Sequence, residues 1–177
     1  MKLNEKGFTL LELVIASAIM VLVSGAAGIA IFQIFRNTER NSNYMTTVNQ
    51  VQNAGYWISR DAQMALGITT DNLTPSVLLE MRWIEDSSSE NPIYHSANYT
   101  IENLTNNIGT LMRAHSSSDG TNEQTLIAQY IYYNPADSAN TTQASYQNPL
   151  LTVQLTAIFE ESLETREYRI KRRPNTF

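Results

Sequence analysis

Hydrophobic residues are concentrated at the start of the chain and recur at regular intervals after it. Residues 8–35 form an almost unbroken apolar run. A run of this length crosses the apolar core of a bilayer as a helix. Apolar residues then recur at spacings of three and four, with no proline before Thr74. The pattern predicts one long helix from about residue 8 to residue 66, with Gly67 as its stop and Gly55 among its bending points.

Alternation of apolar and polar residues replaces the helical spacing after Pro75. It predicts strands over residues 77–84, 98–102, 110–113, 126–133, 151–159 and 165–171. Residues 106–109 are predicted to form a turn, and three polar segments are predicted to be surface loops, residues 86–92, 116–124 and 134–149. A helix followed only by strands predicts an α+β fold, in which the second half of the helix packs on an antiparallel β-sheet.

The charge of the chain is unevenly distributed. The 177 residues are 42% hydrophobic and carry a net charge of −5. Residues 37–165 contain four Arg and fourteen Asp or Glu, whereas residues 166–173 contain five basic residues and one Glu. The acidic body argues against nucleic-acid binding over the whole surface. There is no cysteine, which excludes disulfides, thiolate metal sites and cysteine catalysis.

Other patterns that carry chemistry are missing from the sequence. We find no nucleophile elbow, phosphate loop, zinc pattern or dinucleotide fingerprint, and we expect neither enzymatic activity nor a cofactor. His95 and His115 lie in polar segments, too far apart for a compact metal motif. They are predicted to be solvated residues of loops or strand edges. The pairs Glu85–Asp86 and Glu160–Glu161 are predicted to be solvated strand ends.

Glu12 is the unusual residue of the apolar run. A carboxylate at the centre of a membrane costs about 2.5–3.5 kcal/mol on insertion scales, and an ionisable residue there indicates a function. A secretory signal peptide is one alternative, but its apolar stretch would be shorter. A plain membrane anchor is another, and it leaves Glu12 unexplained. Lys2 and Lys6 precede the run and predict a cytoplasmic N-terminus with the C-terminal domain outside the cytoplasm.

The segment Lys6-Gly7-Phe8-Thr9-Leu10-Leu11-Glu12 resembles the processing site of the type IV pilin and pseudopilin superfamily. The resemblance implies that a prepilin peptidase cuts after Gly7, removes residues 1–7 as a leader and methylates the new amine of Phe8. It implies a transmembrane and polymerisation helix over residues 8–35.

Residues 36–177 are then implied to form an extracytoplasmic pilin-like domain. The resemblance also implies that Glu12 pairs with the amine at the first residue of a neighbouring subunit. The charge would be compensated only on assembly, so that the pair sets the register of the filament. Lys2 and Lys6 would hold the bond to be cut at the cytoplasmic face.

The order of elements is similar to that of the larger minor pilins, namely the pilus-assembly W type and the J-type pseudopilin of type II secretion. The similarity rests on residues 58–61 near the end of the helix, residues 111–113 at the end of a hairpin, and a final basic hairpin. It implies a pilin fold and a structural role at or near the tip of a type IV pilus, a secretion pseudopilus or a competence filament. Other pilins and an inner-membrane assembly platform would be the partners.

Arg169, Lys171, Arg172 and Arg173 form a basic tail with three interpretations. The tail could contact DNA phosphates in a competence pilus, pair with the acidic body of a neighbouring subunit, or be a solvated strand end. Two alternative functions stay open as well. One is a membrane-anchored binding module, such as a DNA or surface receptor, that does not polymerise. The other is an anchored exported hydrolase, for which the sequence shows no catalytic constellation.

Overall fold

The computed structural model describes residues 7, 9–70, 77–85 and 91–172. Contacts divide the chain into two units, residues 1–41 and residues 42–177. In the described residues one helix, α1 (Leu10–Met64), is followed by eight strands, which are β1 (Gly67–Thr69), β2 (Val77–Glu85), β3 (Ile93–Thr105), β4 (Ile108–Ser117), β5 (Asn122–Tyr132), β6 (Gln143–Gln147), β7 (Leu150–Phe159) and β8 (Ser162–Lys171).

The first unit contains the N-terminal part of α1. From Thr9 to Ser42 every residue is exposed, including large apolar side chains such as Leu11, Val21 and Phe32. The described part of this unit therefore has no core of its own, and its apolar side chains need another environment to leave water.

The second unit contains an antiparallel sheet with the strand order β1-β2-β3-β4-β5-β7-β6, and β8 pairs with β7. Strands β1 to β5 follow one another as a meander. Strand β7 pairs with β8 over its whole length, and its other edge meets β6 and then β5. The contact between β5 and β7 consists of a single register pair, Ile131 with Ala157.

The C-terminal part of α1 packs on this sheet and forms the core. Val51, Ala54, Ile58 and Ala62 recur at helical spacing and are fully buried. They meet the inward residues of the strands, among them Leu79, Met81, Leu111, Ile131, Leu151, Val153 and Leu155. Burial of a large aliphatic side chain stabilises a fold by about 1.5–3 kcal/mol. The predicted α+β fold, one long helix packed on an antiparallel sheet, is confirmed.

Side chains of α1 also supply hydrogen bonds that the sheet lacks where β5 separates from β7. The Nδ2 atom of Asn53 donates to the carbonyl of Ile127 at 2.6 Å. The backbone N–H of Gln129 donates to Oε1 of Gln50 at 2.7 Å. The helix thereby takes the place of a neighbouring strand for part of the edge of β5, because a strand edge needs partners for its backbone groups.

Gly55 is a contact point within α1, which continues through it without interruption. A β-carbon at this position would overlap the ring of Tyr168. The hydroxyl of Tyr168 donates to the backbone carbonyl of Val51 at 3.2 Å. Glycine is therefore needed here for the close approach of β8 to the helix.

Several predicted boundaries were wrong. Strands β3 and β4 are 13 and 10 residues long, much longer than predicted, and the loop between β4 and β5 shrinks to residues 118–121. Strand β6 lies inside the predicted loop 134–149. The helix ends at Met64, before the predicted stop at Gly67, and Gly67 is the first residue of β1. The polar residues of these strands pair through their backbones. The alternation of apolar and polar side chains is therefore weak there and does not show where the strands begin and end.

Candidate functional site

The N-terminus of α1 is capped by side chains of its own first turn. The Oε2 atom of Glu12 accepts hydrogen bonds from the backbone N–H and the hydroxyl of Thr9, both at 2.9 Å. The backbone N–H of Glu12 donates to Oγ1 of Thr9 at 3.3 Å. These reciprocal contacts form a capping box, which provides partners for amides that the first turn leaves free. Glu12 therefore has a local partner within the single subunit.

Sequence reasoning missed this cap, although its signal is present. A Thr followed by Glu three residues later, just before an apolar run, is the pattern of a capping box. The finding gives Glu12 two separable properties. Its side-chain oxygen caps the helix, a role that glutamine shares, whereas only its negative charge can pair with a positively charged amine.

Gly7 is exposed just before α1, and a β-carbon added there would meet no atom within 4 Å. Packing within the subunit therefore does not require glycine at this position. Lys2, Lys6 and Phe8, the other residues of the predicted processing site, lie outside the described residues. A need for glycine at position 7 would come from another molecule, such as a protease whose cleft closes on the backbone.

The apolar part of α1 has the length and composition of a membrane span. Its most apolar window of 18 residues has a mean hydropathy of 2.4, and none of that window is buried. Gly25 and Gly28 have open space around them, so another helix can approach closely at these positions. This segment therefore fits a single membrane pass whose surface also suits helix packing.

A buried polar cluster, Asp61, Tyr99, Arg113 and Arg60, joins α1 to the middle of the sheet. The fully buried Asp61 accepts hydrogen bonds at Oδ2 from the hydroxyl of Tyr99 at 2.7 Å and from Nε of Arg113 at 2.6 Å. Its Oδ1 atom accepts from Nε and Nη2 of Arg60 at 3.3 and 3.2 Å. Each buried charge thus has an opposite charge beside it, as burial requires.

Trp57 packs beside this cluster on the helix side. The guanidinium carbons of Arg60 and Arg113 lie 4.0 and 5.3 Å from its ring centroid, within the range of cation–π contacts. Burial, and then the charge of Asp61, raise the pKa of Tyr99 well above its usual range, so its hydroxyl remains a donor. Because Asp61 accepts hydrogen bonds from Tyr99 on β3 and Arg113 on β4, it holds α1 on these two strands.

Trp83, His95 and His115 form an aromatic cluster on adjacent strands β2, β3 and β4. The ring centroids are 5.3 to 5.5 Å apart and the planes lie within 11° of one another. Nδ1 of His95 lies 3.1 Å from Nε2 of His115, and Nε2 of His95 lies 3.0 Å from Oε2 of Glu85. Among the described residues, no group of three or more His, Asp and Glu side chains could hold a metal ion.

The prediction that His95 and His115 are solvated residues of loops or strand edges was wrong. Both are half-buried and lie on strands that have neighbours on each side. The reason is the length of β3 and β4, which extend past the predicted segments 98–102 and 110–113 and so bring the two rings together.

The pKa of His115 is lowered by burial first, and then by the positive charges of Arg113 and His95. Since the folded state binds this proton less readily than the unfolded chain, stability is full above the ordinary histidine pKa of about 6.5 and falls as the pH drops below it. The urea midpoint of the full chain should therefore fall between about pH 7.5 and pH 5.5, more than it does for His115→Gln. Identical pH dependence in both proteins would contradict this prediction.

The basic residues at the end of β8 are largely engaged within their own chain. Nε of Arg169 donates to Oε1 of Glu167 at 2.5 Å, and Arg172 donates to the backbone carbonyl of Leu66. Lys171 is exposed, and Arg173 lies outside the described residues. The ion pair with Glu167 offsets the charge of Arg169, whereas Arg172 keeps its positive charge because a carbonyl is neutral. These contacts therefore leave the predicted basic patch able to attract phosphates.

The fold and the N-terminal site together define a protein anchored by a single N-terminal apolar helix that leads into an α+β domain. Residues 2–28 match the family model described as the prokaryotic N-terminal methylation motif. This match supports a place in the type IV pilin-like superfamily, as a subunit that a prepilin peptidase processes and that assembles with other pilins. No curated protein and no solved structure matches the chain significantly.

Proposed function

We propose that this chain is a structural minor subunit of a type IV pilus, a type II secretion pseudopilus or a competence filament, and that it catalyses no reaction. The subunit enters the cytoplasmic membrane with its N-terminus inside and residues 36–177 outside. It then joins other pilins through an inner-membrane assembly platform. The observation that carries the proposal is the apolar surface of α1 from Leu10 to Phe35, which is exposed throughout and includes a single carboxylate, that of Glu12.

A plain membrane anchor would explain this surface less well. A carboxylate at the centre of a bilayer costs about 2.5–3.5 kcal/mol, and at any depth of a bilayer an unpaired carboxylate of Glu12 would contribute only a helix cap, which an uncharged residue provides as well. In a filament the apolar flanks of α1 pack against neighbouring helices. The amine of Phe8 on a neighbouring subunit compensates the charge of Glu12, and this pair fixes the register of the subunits.

Assignment as a minor subunit rests on the domain that follows the membrane segment. The contact of Asp61 with Arg113 joins residues 58–61 to residues 111–113, two of the three segments on which the similarity to larger minor pilins depends. That similarity also supports a position at or near the tip of the filament. The long strands and the polar loops between them suit a domain displayed on the surface of an assembly.

Gly7→Leu is expected to fold normally and to abolish removal of the leader. The exposed position tolerates a larger side chain in the subunit, whereas a bulky residue beside the cut bond hinders entry into a protease cleft. The intact mass of the chain from membranes should show residues 1–7 retained. The wild-type chain should begin with N-methylphenylalanine at position 8.

Gly67→Leu is the matched control, because Gly67 is also exposed with open space around it. It should be processed like the wild type. Trimming of the Gly7→Leu chain to Phe8 would refute the role of Gly7. A wild-type N-terminus other than methylated Phe8 would count against the proposed function as a whole.

A further inference from the structure

A cavity of about 590 Å³ opens where the last turns of α1 face strands β2 to β5. Its volume lies within the range of small-molecule sites, about 300–1,000 Å³. All of its lining residues belong to the second unit.

The aromatic part of the lining is rigid. The indole of Trp83 stacks on the hydrogen-bonded pair His95 and His115, and all three residues are fixed on paired strands. Trp57 contributes a second indole from α1. Aromatic faces carry partial negative charge and attract the weakly positive C–H groups of a ring that lies flat on them.

The charged part of the lining is balanced. Arg60 and Arg113 provide positive charges, and Glu85 and Glu123 provide negative ones. Burial and the nearby Arg113 lower the pKa of His115, which keeps this ring neutral at neutral pH. Arg60 and Arg113 already pair with Asp61, and Glu85 lies beside His95, so little charge of the lining is left to attract a charged ligand. The lining therefore favours an uncharged ligand.

We propose that this cavity binds an uncharged saccharide. The C–H face of a sugar ring packs against the indole of Trp83, and sugar hydroxyls donate hydrogen bonds to the carboxylates of Glu85 and Glu123. Hydroxyls also accept hydrogen bonds, which suits the imidazole and guanidinium donors of the lining. The proposal does not depend on polymerisation, because the cavity is complete within one subunit.

The test uses the full chain in a zwitterionic detergent that contains no sugar. Cellobiose, maltose, lactose and N,N′-diacetylchitobiose are titrated at millimolar concentrations and followed by tryptophan fluorescence and saturation-transfer NMR. We expect saturable binding of at least one of them. Glu123→Gln should weaken it about tenfold, because a hydrogen bond to a charged group contributes about 1.5–3 kcal/mol.

Glu161→Gln is the matched control, since Glu161 is an exposed carboxylate in the turn between β7 and β8, outside the cavity. It should bind like the wild type. Failure of all the disaccharides to bind would overturn the proposal. Equal affinities of the wild type and Glu123→Gln would place the sugar elsewhere and overturn it too. Tighter binding of a thymidine oligonucleotide, competitive with the sugar, would assign the cavity to nucleic acid instead.

Discussion

Glu12→Gln is expected to be exported, processed and folded, yet to be nearly absent from sheared filaments. The glutamine oxygen still completes the capping box with Thr9, so α1 keeps its N-terminal turn. The lost charge can no longer pair with the amine of a neighbouring subunit. Close charge pairs at interfaces show coupling energies of about 1.5–7 kcal/mol, and each 1.4 kcal/mol is a factor of ten, so recovery should fall at least about tenfold.

Glu12→Ala and Thr9→Ala separate the two properties of Glu12 in the same assay. Glu12→Ala removes both the cap and the charge and should fail like Glu12→Gln. Thr9→Ala weakens the cap, keeps the carboxylate and should assemble nearly normally. Immunoblots of the sheared and membrane fractions give the ratio of filament-bound to membrane-bound subunit for each variant. If Glu12→Gln assembles like the wild type while Glu12→Ala does not, the cap is the function of Glu12 and the pairing hypothesis is wrong.

Asp61→Ala is expected to lower the free energy of unfolding of the domain by about 3–5 kcal/mol, the usual cost of breaking a buried ion pair from one side. The guanidinium of Arg113, only 4% exposed, would lose its charged partner and remain in the core. Arg113→Met should cost less, because Asp61 would keep its contacts with Arg60 and Tyr99. Combining Asp61→Leu with Arg113→Met should recover part of the loss.

Arg82→Ala is the control for a surface ion pair. Arg82 bonds Glu80 at 2.7 Å, but its side chain is 72% exposed, so its loss should change stability by less than about 1 kcal/mol. Denaturant unfolding of the full chain in detergent, followed by tryptophan fluorescence, reports on all these variants. Trp57 lies beside the cluster and is a suitable probe. An Asp61→Ala midpoint equal to that of Arg82→Ala would show that the cluster does not hold the helix on the sheet.

Periodic patterns predicted the elements that bury one face. In β7 the alternation predicts that Val153, Leu155, Ala157 and Phe159 face inward, and the first three are buried in the core. Phe159 departs from the pattern, because it lies near the sheet end against Tyr130, with centroids 4.5 Å apart. The alternation predicts which face of a strand turns inward. Which residues of that face are buried depends on how far the neighbouring strands extend beside them.

Short elements with few apolar residues were missed for a physical reason. Strand β6 contains mainly polar residues and is held to β7 by backbone pairing from Gln143 to Gln147. Strand β1 has only three residues, too few for an alternation to show. Every residue except proline can donate a backbone hydrogen bond, whatever its side chain. The position of such a strand is therefore decided by the strand it pairs with, which its own sequence does not reveal.

The residues of the candidate sites also differ in whether the sequence alone reveals them. Gly7, Phe8 and Glu12 stand in one short local pattern, and so does the capping residue Thr9, whose role was overlooked. The partners Asp61 and Arg113 are 52 residues apart, and their contact follows only from packing α1 on β4. The pairing of His95 with His115 likewise depends on the register of β3 with β4, which a single sequence does not reveal.

The contact of Tyr168 with Val51 also sets an order of events during synthesis. These residues are 117 positions apart, so the helix is made first and the strand that covers it is made last. Strands β1 to β5 can pair as they emerge, since each neighbours the next in sequence. The apolar face of α1 stays partly open until β8 has left the ribosome. The domain is therefore fully folded, and ready for assembly, only when the last strand is complete and not when the helix forms.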